Sequence, residues 1–254
     1  MKDHLSCRDL PIPLPAKAWT AKEVKSIPIV ESGEKMVPMS LAPNKILVRP
    51  QYYLQQLSGA LPECYARLSV YNRLVRAAES LPAGWRFVIF DSWRPIRVQQ
   101  ALFEAMQARI LAADPGLGEE EAREKTTVYV AFPTRDPEKT APHSTGGAVD
   151  LSVADENGLL VNMGTEFDDA TEKSSTSYFE ELLSSGKHLP EDEREALVNR
   201  RFLYHLMKRV GLVNYADEWW HYEYGDQNWA WRTGAPYAVY GKARIPFPWG
   251  NGVE

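Results

Sequence analysis

The chain has 254 residues, 44% hydrophobic and 25% charged, with a net charge of -5. That balance suits a soluble globular protein, lacks the basic block of a nucleic-acid binder, and contains no run near the roughly 18 apolar residues of a membrane span. Two cysteines, Cys7 and Cys64, are too few for a disulfide framework or a Cys-rich zinc site.

The N-terminal MKDHLSCRDLPIPLP has no apolar stretch after its early lysine. No signal peptide is visible, and a cytoplasmic location is expected, or a periplasmic one if a leader was trimmed. Residues 1–45 are Pro-rich and read as an extended arm around a core at 46–231. Cys64–Leu81 has apolar residues at helical spacing and ends at Pro82-Ala83-Gly84. Trp85–Trp93, "WRFVIFDSW", reads as a buried strand. Val98–Ala113 and Glu119–Lys125 read as helices, and Phe132–Ser144 as a loop. Gly147–Val153 alternates like a strand, with Asp155-Glu156-Asn157-Gly158 as a hairpin turn and Leu159–Met163 as the partner strand. Residues 164–188 are polar around a short helix at Tyr178–Leu183. Pro190–Val210 is a helix with acidic residues in its first turn and Lys208-Arg209 in its last. Glu218–Tyr224, "EWWHYEY", reads as an aromatic strand, and residues 232–254 as an irregular tail. Helices gathered before and between antiparallel strands give an α+β fold in a single domain, with a central antiparallel sheet flanked by helices.

Three motifs can carry chemistry. In "PHSTGGAVDLS", His143 and Asp150 stand seven residues apart, and a turn at Gly146-Gly147 can bring both to one centre. The alternative is an ordinary turn leading into an ordinary strand. Catalytic zinc takes three protein ligands and keeps a fourth position open, so a third must come from elsewhere, and His221 is the candidate. Glu218 precedes His221 by three residues and could act as a general base and acid. On a regular strand, positions three apart face opposite ways, so this pairing requires a bend in 218–221 or Glu218 at the strand's entrance. In "FDSWRP", Asp91 and Arg94 lie where a strand ends. Arg94 either steadies a developing oxyanion or closes the turn as an ion pair with Asp91. His4, His188 and His205 lie in contexts where histidine is structural or solvated. No phosphate-binding glycine loop and no G-x-S-x-G elbow is present.

D-x-W-R-P, then H-S-x-G-x-A-x-D, then E-W-W-H, in that chain order, resemble the VanX-type D-alanyl-D-alanine dipeptidases. These are a branch of the zinc D-Ala-D-Ala peptidases, which also include D,D-carboxypeptidases. "HSTGGAVDLS", "EWWHYEYGDQ" and "MGTEFDDATEKSS" carry the resemblance, which spans roughly Val70 to Trp231. It implies the fold of that family and one Zn(2+) per chain, held by His143, Asp150 and His221. It further implies Glu218 as general base and acid, Arg94 as oxyanion stabiliser, and Asp168 as the carboxylate that receives the substrate's amino group. The implied substrate is a small dipeptide, D-Ala-D-Ala or a close D-dipeptide. The alternatives are D,D-carboxypeptidase action on cell-wall peptides, or a non-catalytic zinc-stabilised binder of wall fragments. Position 141, serine in some members, is Ala141 here, and the arm lacks an Asn-Phe-Thr-Gly stretch.

Overall fold

The computed structural model describes residues 4–14, 20–127, 129–136 and 140–245. Parts of three expected segments lie outside these: 1–3 and 15–19 of the arm, 137–139 of the loop before the first histidine, and 246–254 of the tail.

The arm carries α1 (His4–Asp9), α2 (Ala21–Lys25) and β1 (Met36–Pro38). Next come β2 (Ile46–Val48), α3 (Gln51–Leu54) and β3 (Tyr65–Arg67). β1 and β3 pair as an antiparallel ribbon, so the helix expected from Cys64 starts later, as α4 (Leu68–Ala78). The central elements are β4 (Arg86–Asp91), α5 (Ile96–Ala113), α6 (Glu119–Thr127) and β5 (Ala148–Ala154). The chain then builds α7 (Tyr178–Ser184), α8 (Glu191–Arg209), β6 (Val213–Asn214), β7 (His221–Glu223) and α9 (Gln227–Thr233).

The main sheet has the order β2-β4-β5-β7-β6. Its neighbours are antiparallel except β2, which runs parallel to β4. The fold is α+β in a single domain, and the antiparallel sheet expected from the sequence gains one parallel edge strand. β4 and β5 are covered on both faces, which is why "FVIF" is continuous rather than alternating. Val70 and Leu74 of α4, with Leu203, Leu206 and Met207 of α8, bury themselves in the same core as Phe87, Ile89 and Leu151. Each such side chain contributes about 1.5–3 kcal/mol through burial. Among the described residues, no helix is long and apolar enough to cross a membrane.

Three expected strands are shorter than the pattern suggests, the first being Trp85–Trp93, which is strand only over Arg86–Asp91. Leu159–Met163 forms only one bridge, Leu160 with Ala154. Asn162 then turns the chain towards α8, accepting from Gly164 N and donating to Asp192 O. Glu218–Tyr224 is strand only from His221, because 218–221 forms a turn in which His221 N bonds Glu218 O at 3.3 Å. α9 crosses the expected core–tail boundary at 231/232; Asp226 caps it by accepting from Trp229 N.

Candidate metal centre

The turn that delivers His143 is a 3-10 helix, Pro142–Thr145, ended by Gly146 at φ +71°. That left-handed conformation suits glycine, and it leads directly into β5. On the sheet, Asp150 pairs with His221 of β7 on one side and with Asp91 of β4 on the other. Local turn geometry and strand register therefore bring together residues from three segments.

His143 Nε2 lies 3.2 Å from His221 Nδ1 and 3.3 Å from Asp150 Oδ2, and His221 Nδ1 lies 2.9 Å from Asp150 Oδ1. One ligand atom from each of the three residues falls within 4.8 Å of the others, and all three residues are buried. The outer nitrogens fix the tautomers. His143 Nδ1 donates to Ser92 O at 2.7 Å, and His221 Nε2 donates to Glu223 Oε1 at 2.9 Å. In its neutral form each ring thus turns an unprotonated nitrogen inward, so that two acceptors and a carboxylate would face one another. Such a cluster calls for a cation, either a proton or a metal ion, and the outer hydrogen bonds are those that orient metal-ligating imidazoles. Burial would raise the Asp150 carboxyl, but His143 and His221 outweigh it and hold it far below the usual carboxylate range. Burial would lower His221, but Asp150 and Glu223 reverse this and raise it well above its ordinary value. The electrostatics of the cluster favour positive charge at its centre.

Glu218 and Arg94 flank the triad. The 218–221 turn removes the objection that positions three apart on a strand diverge. It is braced by Asn214 Nδ2, which donates to Glu218 O and to His221 O, both at 3.0 Å. Glu218 Oε2 consequently lies 3.7 Å from His221 Nδ1. Its side chain keeps 31% of its surface exposed, while the protein packed round the carboxyl pushes it up to about 7. Arg94 leaves the end of β4 and is fixed on three sides: Nε donates to Asp91 at 2.8 Å, Nη1 to Gln99 at 2.9 Å and Nη2 to the Tyr52 hydroxyl at 3.3 Å. The Asp91 ion pair is present, yet Nη2 still approaches Asp150 Oδ2 at 3.7 Å. Burial opposes the guanidinium charge, and Tyr52, Asp91 and Asp150 more than restore it. Asp168 stands at the lip with Oδ2 3.5 Å from the Tyr52 hydroxyl. Crowding by protein raises its carboxyl above the usual range, although the residue as a whole is exposed.

Several partners were not read from the sequence. Tyr52, between Arg94 and Asp168, comes from the four-residue α3, which has no periodic signal. Ser92 acts through its backbone, which no side-chain pattern reveals. Glu223 was within reach, because it follows His221 by two positions on one strand and so shares its face. Of the other histidines, His205 Nε2 bonds Leu10 O at 3.0 Å and His188 is exposed, both away from the triad.

Two imidazoles and a carboxylate that could hold a metal ion stand beside a carboxyl and a fixed guanidinium, the arrangement that a metal-dependent hydrolase would need. A family model described as "D-ala-D-ala dipeptidase" matches residues 63–238. A D-alanyl-D-alanine dipeptidase of Synechocystis sp. is 32% identical over 224 residues, covering 83% of this chain and 90% of its own. One of Escherichia coli is 28% identical over 141 residues, 56% of each chain, and one of Enterococcus faecalis is 34% identical over 86 residues, 34% of this chain and 37% of its own. The chain belongs to this peptidase family. Peptidases of the family are typically metal-dependent.

Proposed function

We propose that the chain is a zinc dipeptidase that hydrolyses D-Ala-D-Ala or a close D-dipeptide to free amino acids. One observation carries this reading. Two ring nitrogens, each left as an acceptor in the neutral tautomer that its outer hydrogen bond selects, meet Asp150, with the Glu218 carboxyl 3.7 Å from one of them. His143 Nε2, Asp150 and His221 Nδ1 would hold zinc, whose ligand preferences they meet. Bound there, zinc would supply a Lewis acid for the scissile carbonyl and would acidify water.

The remaining work falls to side chains. Glu218 takes the proton of the attacking water and returns it to the leaving amine. Arg94, held charged and fixed by Asp91 and Gln99, turns Nη2 to the developing oxyanion. Asp168, steadied by Tyr52, receives the substrate's ammonium. A cavity beside Arg94 and Ser144, lined also by Arg135, Lys242 and Arg244, offers positive charge to the substrate's carboxylate.

Release of D-alanine from D-Ala-D-Ala and from N-acetyl-D-Ala-D-Ala tests the reading. The free dipeptide should be cut and the acetylated one spared. Equal cleavage of both would make the protein a D,D-carboxypeptidase and remove Asp168 from the role of gatekeeper.

A further inference from the structure

The loop from Met163 to Ser175 carries Asp168 to the site, and its anchoring converges on one residue remote from the chemistry. Arg200, on the inner face of α8, is 1% exposed. Its Nε donates to Met163 O at 2.7 Å, Nη1 to Ser175 O at 2.7 Å and Nη2 to Lys173 O at 2.8 Å. The Phe179 ring lies 4.6 Å from the guanidinium and the Trp219 ring 6.0 Å. Burying a guanidinium is costly, and it persists only where its N–H groups are satisfied. Here the satisfying carbonyls bracket the loop at both ends.

Between those ends the loop holds an uncommon conformation. Phe167 packs against Phe90 at 4.9 Å, Trp220 at 5.5 Å and Tyr52 at 6.1 Å between ring centroids. Asp168 then turns into the left-handed region at φ +67°. For a residue with a side chain that costs of order 1 kcal/mol, and it persists where the surroundings over-determine it. The same loop is tied to the Glu218 turn. Trp219 N bonds Ser174 O at 3.0 Å, Thr176 N bonds Ala216 O at 2.8 Å, and Trp219 Nε1 donates to Thr165 Oγ1 at 2.8 Å. Asp168 and Glu218 therefore stand on one scaffold whose hub is Arg200.

We propose that Arg200 is a positioning residue that sets the reach of the site. By clamping both ends of the loop it keeps Asp168 at a fixed separation from Glu218, so that only a peptide bond one residue from a free amino group is cut. This rests on the reading of Asp168 as the ammonium acceptor. An acylated or extended N-terminus must displace Asp168 outward, and the clamped loop resists. Arg200 donates to none of the metal-centre residues, so its loss should alter selectivity before metal binding.

The test compares zinc-loaded wild type with Arg200→Lys and Arg200→Met on D-Ala-D-Ala, N-acetyl-D-Ala-D-Ala and D-Ala-D-Ala-D-Ala. The preference for the free dipeptide, as a ratio of kcat/KM values, should fall about ten- to a hundredfold in Arg200→Met, as ångström-scale misplacement of a positioning group does. The change should come mainly from a raised KM for the free dipeptide, with metal content unchanged. Arg200→Lys, which keeps the charge but not the three-pronged fork, should lie between. If the Arg200 variants do not fold, Thr165→Val, which removes the acceptor of Trp219 Nε1 and the 3.4 Å contact with Ser174 Oγ, loosens the same loop and should lower the same ratio. A folded variant with the wild-type ratio overturns the inference. A wild type that cuts free and acetylated dipeptide equally overturns both the Asp168 reading and this one. A wild type whose preference is lost in Asp168→Asn but kept in the folded Arg200 or Thr165 variants overturns this one alone.

Discussion

Glu218→Gln separates proton transfer from every other task of the site. The amide has nearly the same shape and can keep its place 3.7 Å from His221 Nδ1, but it cannot take a proton. Burial pushes the Glu218 carboxyl up to about 7, where a general base is best matched to neutral pH, and such a base contributes about 10²–10⁴ in rate. The upper half of that range is expected, about 10³–10⁴ in kcat, or about 4–5.5 kcal/mol of barrier. KM for D-Ala-D-Ala should move little, because Asp168, Tyr52 and Arg94 are untouched. Metal content should also be preserved, because Glu218 is not among the three clustered ligand residues. The assay is D-alanine release by the purified variant, run beside elemental analysis for bound metal and a melting curve for the fold. A folded variant that keeps more than about a tenth of wild-type kcat would refute the role of Glu218 as base. Loss of the metal would make it a ligand instead.

Glu223→Gln removes the carboxylate that orients His221, and metal affinity, read by chelator competition, should fall about 10–100-fold; an unchanged affinity would show that the ring is held without it. Protonated Glu218 is inactive, so kcat/KM should rise with pH as the proton leaves. Burial places that loss at about 7 without metal, and a bound divalent cation lowers it, so the acidic limb should have its midpoint below about 7, and a midpoint above it would contradict the assignment. Gly147→Ala should weaken metal binding more than Gly146→Ala. A Cβ at Gly147 meets Tyr224 O at 2.5 Å and must part β5 from β7, whereas at Gly146 it meets the flexible end of Met36 at 2.5 Å. The Gly146 variant bears mainly left-handed backbone strain, about 1–2 kcal/mol; equal metal affinity in the two would show that the β5–β7 spacing does not set the site.

What could be read from the sequence was local or carried by chemistry. The His143–Asp150 spacing predicts a turn feeding a strand, and the turn and β5 take that form. Pro190, the acidic first turn and Lys208-Arg209 delimit α8 within a residue or two. His221 and Glu218 posed the harder case, since strand alternation sets them on opposite faces. The turn that reunites them depends on Asn214, four residues before Glu218 on the neighbouring strand, and a side-chain brace to backbone carbonyls leaves no periodic trace. β2 is three residues long and pairs with β4 some forty residues later, so its register is invisible locally. Arg200 sits on the buried face of α8 beside Ala196, Leu203 and Met207, where a sequence pattern shows a charge out of place but not the loop it holds. The tightest constraint near the metal centre falls on Gly147 rather than Gly146, because a partner-strand carbonyl, known only from the pairing, lies against it.

Metal dependence tests the central claim most directly. The purified chain should carry one zinc ion. Chelation should abolish D-Ala-D-Ala hydrolysis, added zinc should restore it, and His221→Ala should neither retain the metal nor respond to it. Full hydrolysis by the metal-stripped protein, or full zinc occupancy in His221→Ala, would contradict the account.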